Sequence, residues 1–383
     1  MVLHKAITIL LLVAAIHGGA ARAASPARPL LLAHYLPWFE APPVSARWGW
    51  HWTMGRLDPD TVVAGRRAVA ARYYPVIGPY DSGDPAVVEY HLLLMKAAGI
   101  DGIVVDWYGL DDYRDYAANH RRAELAIRTA ARLGLTFAVC YEDRTLREMA
   151  EAGRVADRTK AARRTLGWLA AHWFRLPGYL RVGGEPVLLS FGNDGLTDDE
   201  WSATLGALGP VVYLSEHRRR RCAAGAFDWP VPRDGTARQA RFTAEAAGWP
   251  VVFNVAFPRF EDFYAQAGVH ASWGRIHDRE GRTLSETLDA ALRAPAAAVQ
   301  LATWNDWGEG TQIEPSVELG LRDLEIVQRA RRQRDPTFPY DREDLAIPAL
   351  LYRLPRGAER DRLSASFAAG NTDAARRALA ARK

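Results

Sequence analysis

Cysteine is scarce in this chain, with only Cys140 and Cys222 among 383 residues. Two thiols cannot form a disulfide framework, and their positions leave open whether they pair or stay free. The motifs of metal and nucleotide chemistry are missing too. There is no HExxH, no cysteine pair at zinc spacing, no phosphate-cradling glycine loop and no dinucleotide fingerprint. His51, His217 and His270 are scattered, so a metal site would have to be assembled from distant parts of the chain. No GxSxG elbow offers a serine nucleophile. Charge of one sign is not in excess. The formal net charge of +4 falls to about +2 without Lys5 and Arg22 of the leader, too little to argue for a nucleic-acid partner. The apolar run Ile7–Ile16 is too short for a comfortable membrane span. Internal repeats and low-complexity linkers are absent. Neither metal nor cofactor is expected.

The sequence does have tryptophan, thirteen in all, enough to supply a ligand-stacking surface as well as core. It also has a three-part leader: Lys5, the apolar run, and Ala21-Arg22-Ala23 as a small-x-small cleavage site. Residues 1–23 therefore read as a signal peptide, with the mature chain starting at Ala24. No cysteine follows to carry a lipid. The expectation is a secreted or periplasmic monomer without membrane insertion. The roughly 360 remaining residues fit one large α/β barrel as well as two domains.

Along the mature chain, apolar strands alternate with helical patterns, the signature of βα units around a parallel sheet. Strands are expected at Leu30–Leu36, Gly102–Trp107, Thr136–Tyr141, Pro186–Phe191, Val211–Ser215, Ala226–Pro230, Val251–Ala256 and Val299–Trp304. The clearest helix has Asp84 as cap and Pro85 at its first position, and runs to Ala98. Others are expected at Asn119–Leu133, Arg154–Phe174, Asp198–Leu208, Thr236–Gly248, Leu284–Arg293 and Gly320–Gln333. Eight strands with alternating helices make a (β/α)8 TIM barrel over residues 24–340. A helical appendage over 341–383 is broken at Pro348, Pro355 and Gly370.

A barrel makes one demand on function: its chemistry belongs after strand C-termini. The first strand ends in His34-Tyr35-Leu36-Pro37-Trp38, and its loop carries Trp48, Trp50, His51, Trp52, Tyr80 and Asp81. The second ends in Asp106-Trp107-Tyr108, the third in Tyr141-Glu142-Asp143, the fifth in Glu216-His217, and the seventh carries Asn254. Ser82 and Asp84 read better as helix-start residues than as ligands. Glu142-Asp143-Arg144 could equally be a surface charge cluster. Arg218 to Arg221 read as a solvated basic loop. The eighth strand opens the richest stretch, Val299–Ser316. It sets Trp304, Asn305, Asp306, Trp307, Glu309, Gln312 and Glu314 within eleven residues, with Gly308 and Gly310 around the central glutamate. Paired carboxylates divide acid and base work, and indoles form walls for sugar faces. Helix capping would need one acid and would explain neither indole.

Three stretches carry a family resemblance: TWNDWGEGTQIEPS at Thr303–Ser316, YYPVIGPYDSGDP at Tyr73–Pro85 and AGIDGIVVDWYG at Ala98–Gly109. Together with AHYLPWF near the mature N-terminus they resemble the glycoside hydrolase family 99-like group, which includes endo-acting α-mannan hydrolases on (β/α)8 barrels. The family 99 motif reads Trp-Asn-Glu-Trp-His-Glu-Gly, with two catalytic glutamates whose places are taken here by Asp306 and Glu309. Asp306 and Gly308 depart from it and are similar to family 71, the α-1,3-glucanases, whose motif reads Trp-Asn-Asp-Tyr-Gly-Glu. The resemblance implies a hydrolase of α-linked poly- or oligosaccharide, acting endo, with Glu309 as general acid and Asp306 as base. Tyr35, Trp38, Trp52, Tyr80, Asp106, Tyr108, Glu142, Asn254, Trp304 and Gln312 are the candidates for holding sugar. Two alternatives are a glycan-binding barrel without chemistry and a hydrolase working within exopolysaccharide assembly. An aspartate is one methylene shorter than the family 99 glutamate, which suits a water-mediated inverting reaction, whereas a backbone shift at Gly308 would restore the direct contact and retention.

Overall fold

The computed structural model describes residues 28–380, so the expected signal peptide lies outside the described residues. Eight parallel strands form the centre: β1 (Leu30–Tyr35), β2 (Gly102–Trp107), β3 (Thr136–Glu142), β4 (Glu185–Phe191), β5 (Val212–Glu216), β6 (Gly225–Phe227), β7 (Val251–Ala256) and β8 (Ala298–Leu301). Each pairs with its neighbours in sequence, and β8 returns to β1 with Leu30 opposite Ala298, which closes the barrel. The expected (β/α)8 fold is present. The fifth and sixth strands have no helix between them, and β6 is the shortest of the eight.

Outside the strands pack α1 (Pro85–Ala98), α2 (Tyr116–Arg132), α3 (Arg144–Glu151), α4 (Arg158–His172), α5 (Asp198–Leu205), α6 (Ala237–Glu245), α7 (Arg282–Arg293) and α8 (Arg322–Arg334). The Asp84 side chain accepts the Ala86 N–H at 2.8 Å and Pro85 takes the first helical position, so the sequence start of α1 is also its structural one. The helix α3 is a difference from the expected pattern. No helix is expected between the third strand and Arg154, yet α3 lies there, separated from α4 by a turn with Gly153 at positive φ.

Strand parity divides the core. Leu32, Val104, Cys140, Leu189, Phe253 and Val255 point into the barrel. Leu31, Ala33, Tyr35, Val105, Trp107 and Leu301 point outward against the helices. The tail forms a 3-10 turn (Arg342–Ala346), then α9 (Ile347–Arg353), α10 (Ala358–Ala368) and α11 (Thr372–Ala380). Its Leu345, Leu351, Leu363 and Phe367 share the outer core with α1. Polar bonds add to this: Ser364 Oγ donates to Glu89 of α1 at 2.9 Å. Among the described residues, no helix is long and apolar enough to cross a membrane.

Candidate active site

The segment after β8 leaves the barrel through a cis peptide between Ala302 and Thr303 and turns across the C-terminal mouth. Its shape is set by backbone bonds to the loop that follows β7. Glu261 N–H donates to the Glu309 carbonyl at 2.9 Å and Phe263 N–H to the Gly308 carbonyl at 2.8 Å. Gly310 has φ +68°, and a Cβ there would stand 2.7 Å from the Glu261 carbonyl oxygen, so only glycine fits. These bonds present Asp306 and Glu309 to a cavity of about 1190 Å³ at the strand C-termini.

Of the twelve residues singled out in the sequence, six line this cavity: Trp38, Asp106, Tyr108, Glu142, Asp306 and Glu309. The others do not. Tyr35, Trp52, Tyr80, Asn254, Trp304 and Gln312 are buried away from it, a correction that strand parity and packing explain. Tyr35 points outward from β1, where its hydroxyl meets His91 Nδ1 of α1 at 3.2 Å. Asn254 is also outward, and its amide donates to the Ala291 and Ala294 carbonyls at the end of α7. Trp52 stacks on Phe39 and donates to the Tyr80 carbonyl. Trp304 belongs to the outer core, and the Gln312 side chain is enclosed while its carbonyl accepts from Arg259.

Tyr80 sits in a closed network behind the site. Its hydroxyl donates to Glu314 Oε2 at 2.6 Å and accepts from Asn305 Nδ2 and Trp307 Nε1, each at 3.2 Å. Glu314 Oε1 pairs with His91 Nε2 at 3.0 Å. Asn305 also bonds Leu36 N–H and its carbonyl, tying the motif to the end of β1. The network therefore fixes the residues on both sides of Asp306.

Other sequence readings resolve as follows. Asp143 is fully buried, accepting from Trp201 Nε1 and Leu196 N–H, so it is structural while its neighbour Glu142 faces the cavity. The basic run is not simply solvated: Arg220 is buried and bonds the Leu196 carbonyl and Asp198. Cys140 and Cys222 are both free thiols.

The cavity also takes residues that sequence reasoning missed. Trp229 follows β6, Tyr264 and Trp273 come from the long loop after β7, and Asp115 and Glu148 flank the opening of α2 and the end of α3. Aromatics on so long a loop after a strand C-terminus were the available signal for Tyr264 and Trp273. Trp38 stacks on His51 at 4.1 Å, forming a flat wall, while Trp50 and Trp273 are about half exposed at the rim.

Burial dominates the electrostatics. It pushes the Asp306 carboxyl up to about 7, against the Glu309 and Gly308 N–H groups that favour its charged form. Asp306 Oδ1 accepts the Glu309 N–H at 2.9 Å. Glu309 is raised well above the usual carboxylate range, first by burial and then by the Asp306 charge, and its Oε2 receives no hydrogen bond. Burial likewise raises Glu142 to about 8, and raises Asp106 further under the added charges of Glu142 and Asp306. Burial thus raises both carboxyls of the turn, and the Asp306 charge adds to the rise at Glu309.

The model of glycosyl hydrolase family 99 matches residues 28–205. Over that stretch the chain is similar to the family. Its fold resembles the GH99 endo-alpha-mannosidase of Bacteroides thetaiotaomicron with a TM-score of 0.60 at 18% identity, covering 80% of this chain and 96% of that one. By sequence it is 24% identical over 348 residues to the uncharacterized protein WxcX of Xanthomonas campestris pv. campestris, covering 78% of this chain and 49% of that protein. It is also 24% identical over 274 residues to the glycoprotein endo-alpha-1,2-mannosidase-like protein of Danio rerio, covering 65% of this chain and 60% of that protein. The chain thus spans about half to three fifths of the length of these curated relatives.

Proposed function

We propose that this protein is an exported glycoside hydrolase that cleaves an α-linked polysaccharide, mannan- or glucan-like, in endo fashion. The observation that carries the reading is the Asp306–Glu309 pair: two carboxyls of one turn, both raised by burial, at the mouth of a barrel with aromatic walls. Glu309 keeps its proton and acts as general acid toward the leaving oxygen. Asp306, the more acidic of the two, acts as base. Relatives carrying endo-mannosidase names support a mannan-like substrate, while Asp306 and Gly308 in the motif are similar to family 71 and keep a glucan in view. Export rests on the leader alone; mass spectrometry of the exported protein should find Ala24 first, and an intact Met1 would reject it.

The deciding experiment is a screen of the purified protein against α-mannans, α-glucans and bacterial exopolysaccharides with product sizing. Internal cleavage of one class is expected, and release of single sugars from chain ends would replace the endo reading. Proton NMR of the first-formed anomer should show inversion if Asp306 works through a water. One observation favours a second reading, glycan binding without turnover: Asp306 Oδ1 is engaged by the Glu309 N–H within its own turn. A glycan that binds and is never cleaved would establish that alternative.

A further inference from the structure

A cluster of donor atoms at the floor of the cavity has no part in this hydrolysis. His34 of β1, Asp106 of β2 and Cys140 of β3 are buried, and one ligand-capable atom from each lies within 4.8 Å of the other two. The barrel register creates the cluster. Asp106 is the direct partner of Cys140, and His34 stands opposite Val104, two residues before Asp106 on the same face of β2. We propose that these three side chains bind one divalent transition-metal ion of the zinc class.

The donor chemistry selects the ion. Imidazole nitrogen, carboxylate oxygen and thiolate sulfur suit zinc or cobalt, whereas magnesium and calcium take oxygen ligands. Both Asp106 oxygens are buried, and apart from the neighbouring Glu142 carboxyl they have no hydrogen-bond partner among the described residues. The ring of His34 is oriented as a metal ligand's usually is: Gln300 Oε1 lies 3.4 Å from Nδ1, and taking the proton there leaves a lone pair on Nε2. Glu142 lines the cavity alongside, and among the described residues no ion pair reaches the Asp106 carboxylate. A cation bound here gives those buried oxygens the partner they lack.

Three protein ligands leave one position of a tetrahedral ion free. His34 and Asp106 line the cavity and Cys140 lies behind them, so the free position faces the sugar-sized space. Metal–ligand bonds of about 2.0–2.3 Å require the donors to draw together by up to about 1 Å. The competing occupant of the same space is a proton shared between Asp106 and Glu142.

The test uses the whole purified protein, stripped with chelator and titrated with Co²⁺. One equivalent should bind, with a thiolate-to-cobalt charge-transfer band in the near ultraviolet. Cys222→Ser should keep the band and Cys140→Ser should abolish it. Gln300→Met should weaken binding about 10- to 100-fold. If Cys140→Ser does not fold, Asp106→Asn carries the test through at least a tenfold loss of affinity. Failure of the protein to retain cobalt would assign the floor to the shared proton and overturn the proposal. So would a band that survives Cys140→Ser or vanishes with Cys222→Ser, or affinity unchanged in Asp106→Asn.

Discussion

Within nine residues the chain carries two kinds of buried carboxylate. Glu314 is fully partnered: Tyr80, Trp307 and His91 all reach its two oxygens. Asp306 and Glu309, eight and five residues earlier, have only the backbone of their own turn or nothing, and burial raises both. Burying an acid costs free energy unless donors replace water. Where donors are supplied, the acid holds the loop; where they are withheld, burial favours the protonated acid. Glu314 fixes the turn on which Asp306 and Glu309 sit.

The largest effect should come from the unpartnered side. Glu309→Gln removes a proton and almost no volume, so turnover should fall about 10²- to 10⁴-fold while the thermal transition and glycan affinity hold. A variant with near-normal turnover would erase the distinction between the two kinds of acid. One that unfolds would move Glu309 to the structural side.

Next comes Glu314→Gln. The amide turns a donor toward groups that are themselves donors, leaving Tyr80 or His91 unsatisfied in a fully buried network. A loss of about 3 kcal/mol is expected in urea unfolding. Turnover should drop as well, because Asn305 and Trp307 flank Asp306 and are held by the same hydroxyl of Tyr80. Stability lost without any change in turnover would uncouple the network from the site.

Asp306→Asn should act in the opposite direction on stability. With its folded value near 7 against an ordinary 3.8, Asp306 holds a proton in the folded protein that the unfolded chain releases. Folding stability from this group is therefore full below about 4 and is lost as pH rises to about 7. The asparagine variant should match the parent near pH 4 and exceed it at pH 8 by roughly 4 kcal/mol, read by urea midpoints. The same titration predicts a parent whose activity climbs through about pH 7 as the base ionises. A variant less stable at pH 8 would show that Asp306 is held as firmly as Glu314.

This contrast also shows what the sequence could reveal. Strand ends and their polar residues were legible because the alternation of apolar strands and helices is strong, and Asp106, Glu142, Asp306 and Glu309 all reach the cavity from them. Which side of a strand a residue takes was not. Tyr35 and Asn254 stand one residue out of phase with the inward set, so His34, adjacent to Tyr35, lines the cavity while Tyr35 meets a helix. The same phase hid the His34–Asp106–Cys140 cluster, whose members are distant in sequence and share no spacing motif. Tyr80 and Trp52 were placed in the correct loop, but an aromatic with a polar tip serves a buried network as well as a sugar.

The smallest effect is expected farthest from both carboxylate groups, at Trp273 on the rim. Its ring is half exposed and packs on His270 and Tyr264, the latter a cavity residue, and its backbone N–H is held by Asp262. The loop is therefore anchored by main-chain bonds that survive removal of the indole, and Trp273→Ala should change stability by no more than about 0.5 kcal/mol. From the rim of the cavity the indole would meet the outer sugar units of a long glycan. Losing one aromatic stack of about 0.5–1.5 kcal/mol should weaken long oligosaccharides several-fold and leave the shortest cleaved substrate unaffected. Steady-state kinetics on an oligosaccharide ladder reads this directly as a rise in KM confined to the longer members. An equal rise across the ladder would place Trp273 beside the reacting sugar, and a fall in kcat without a rise in KM would show that the rim helps to hold the Asp306 turn.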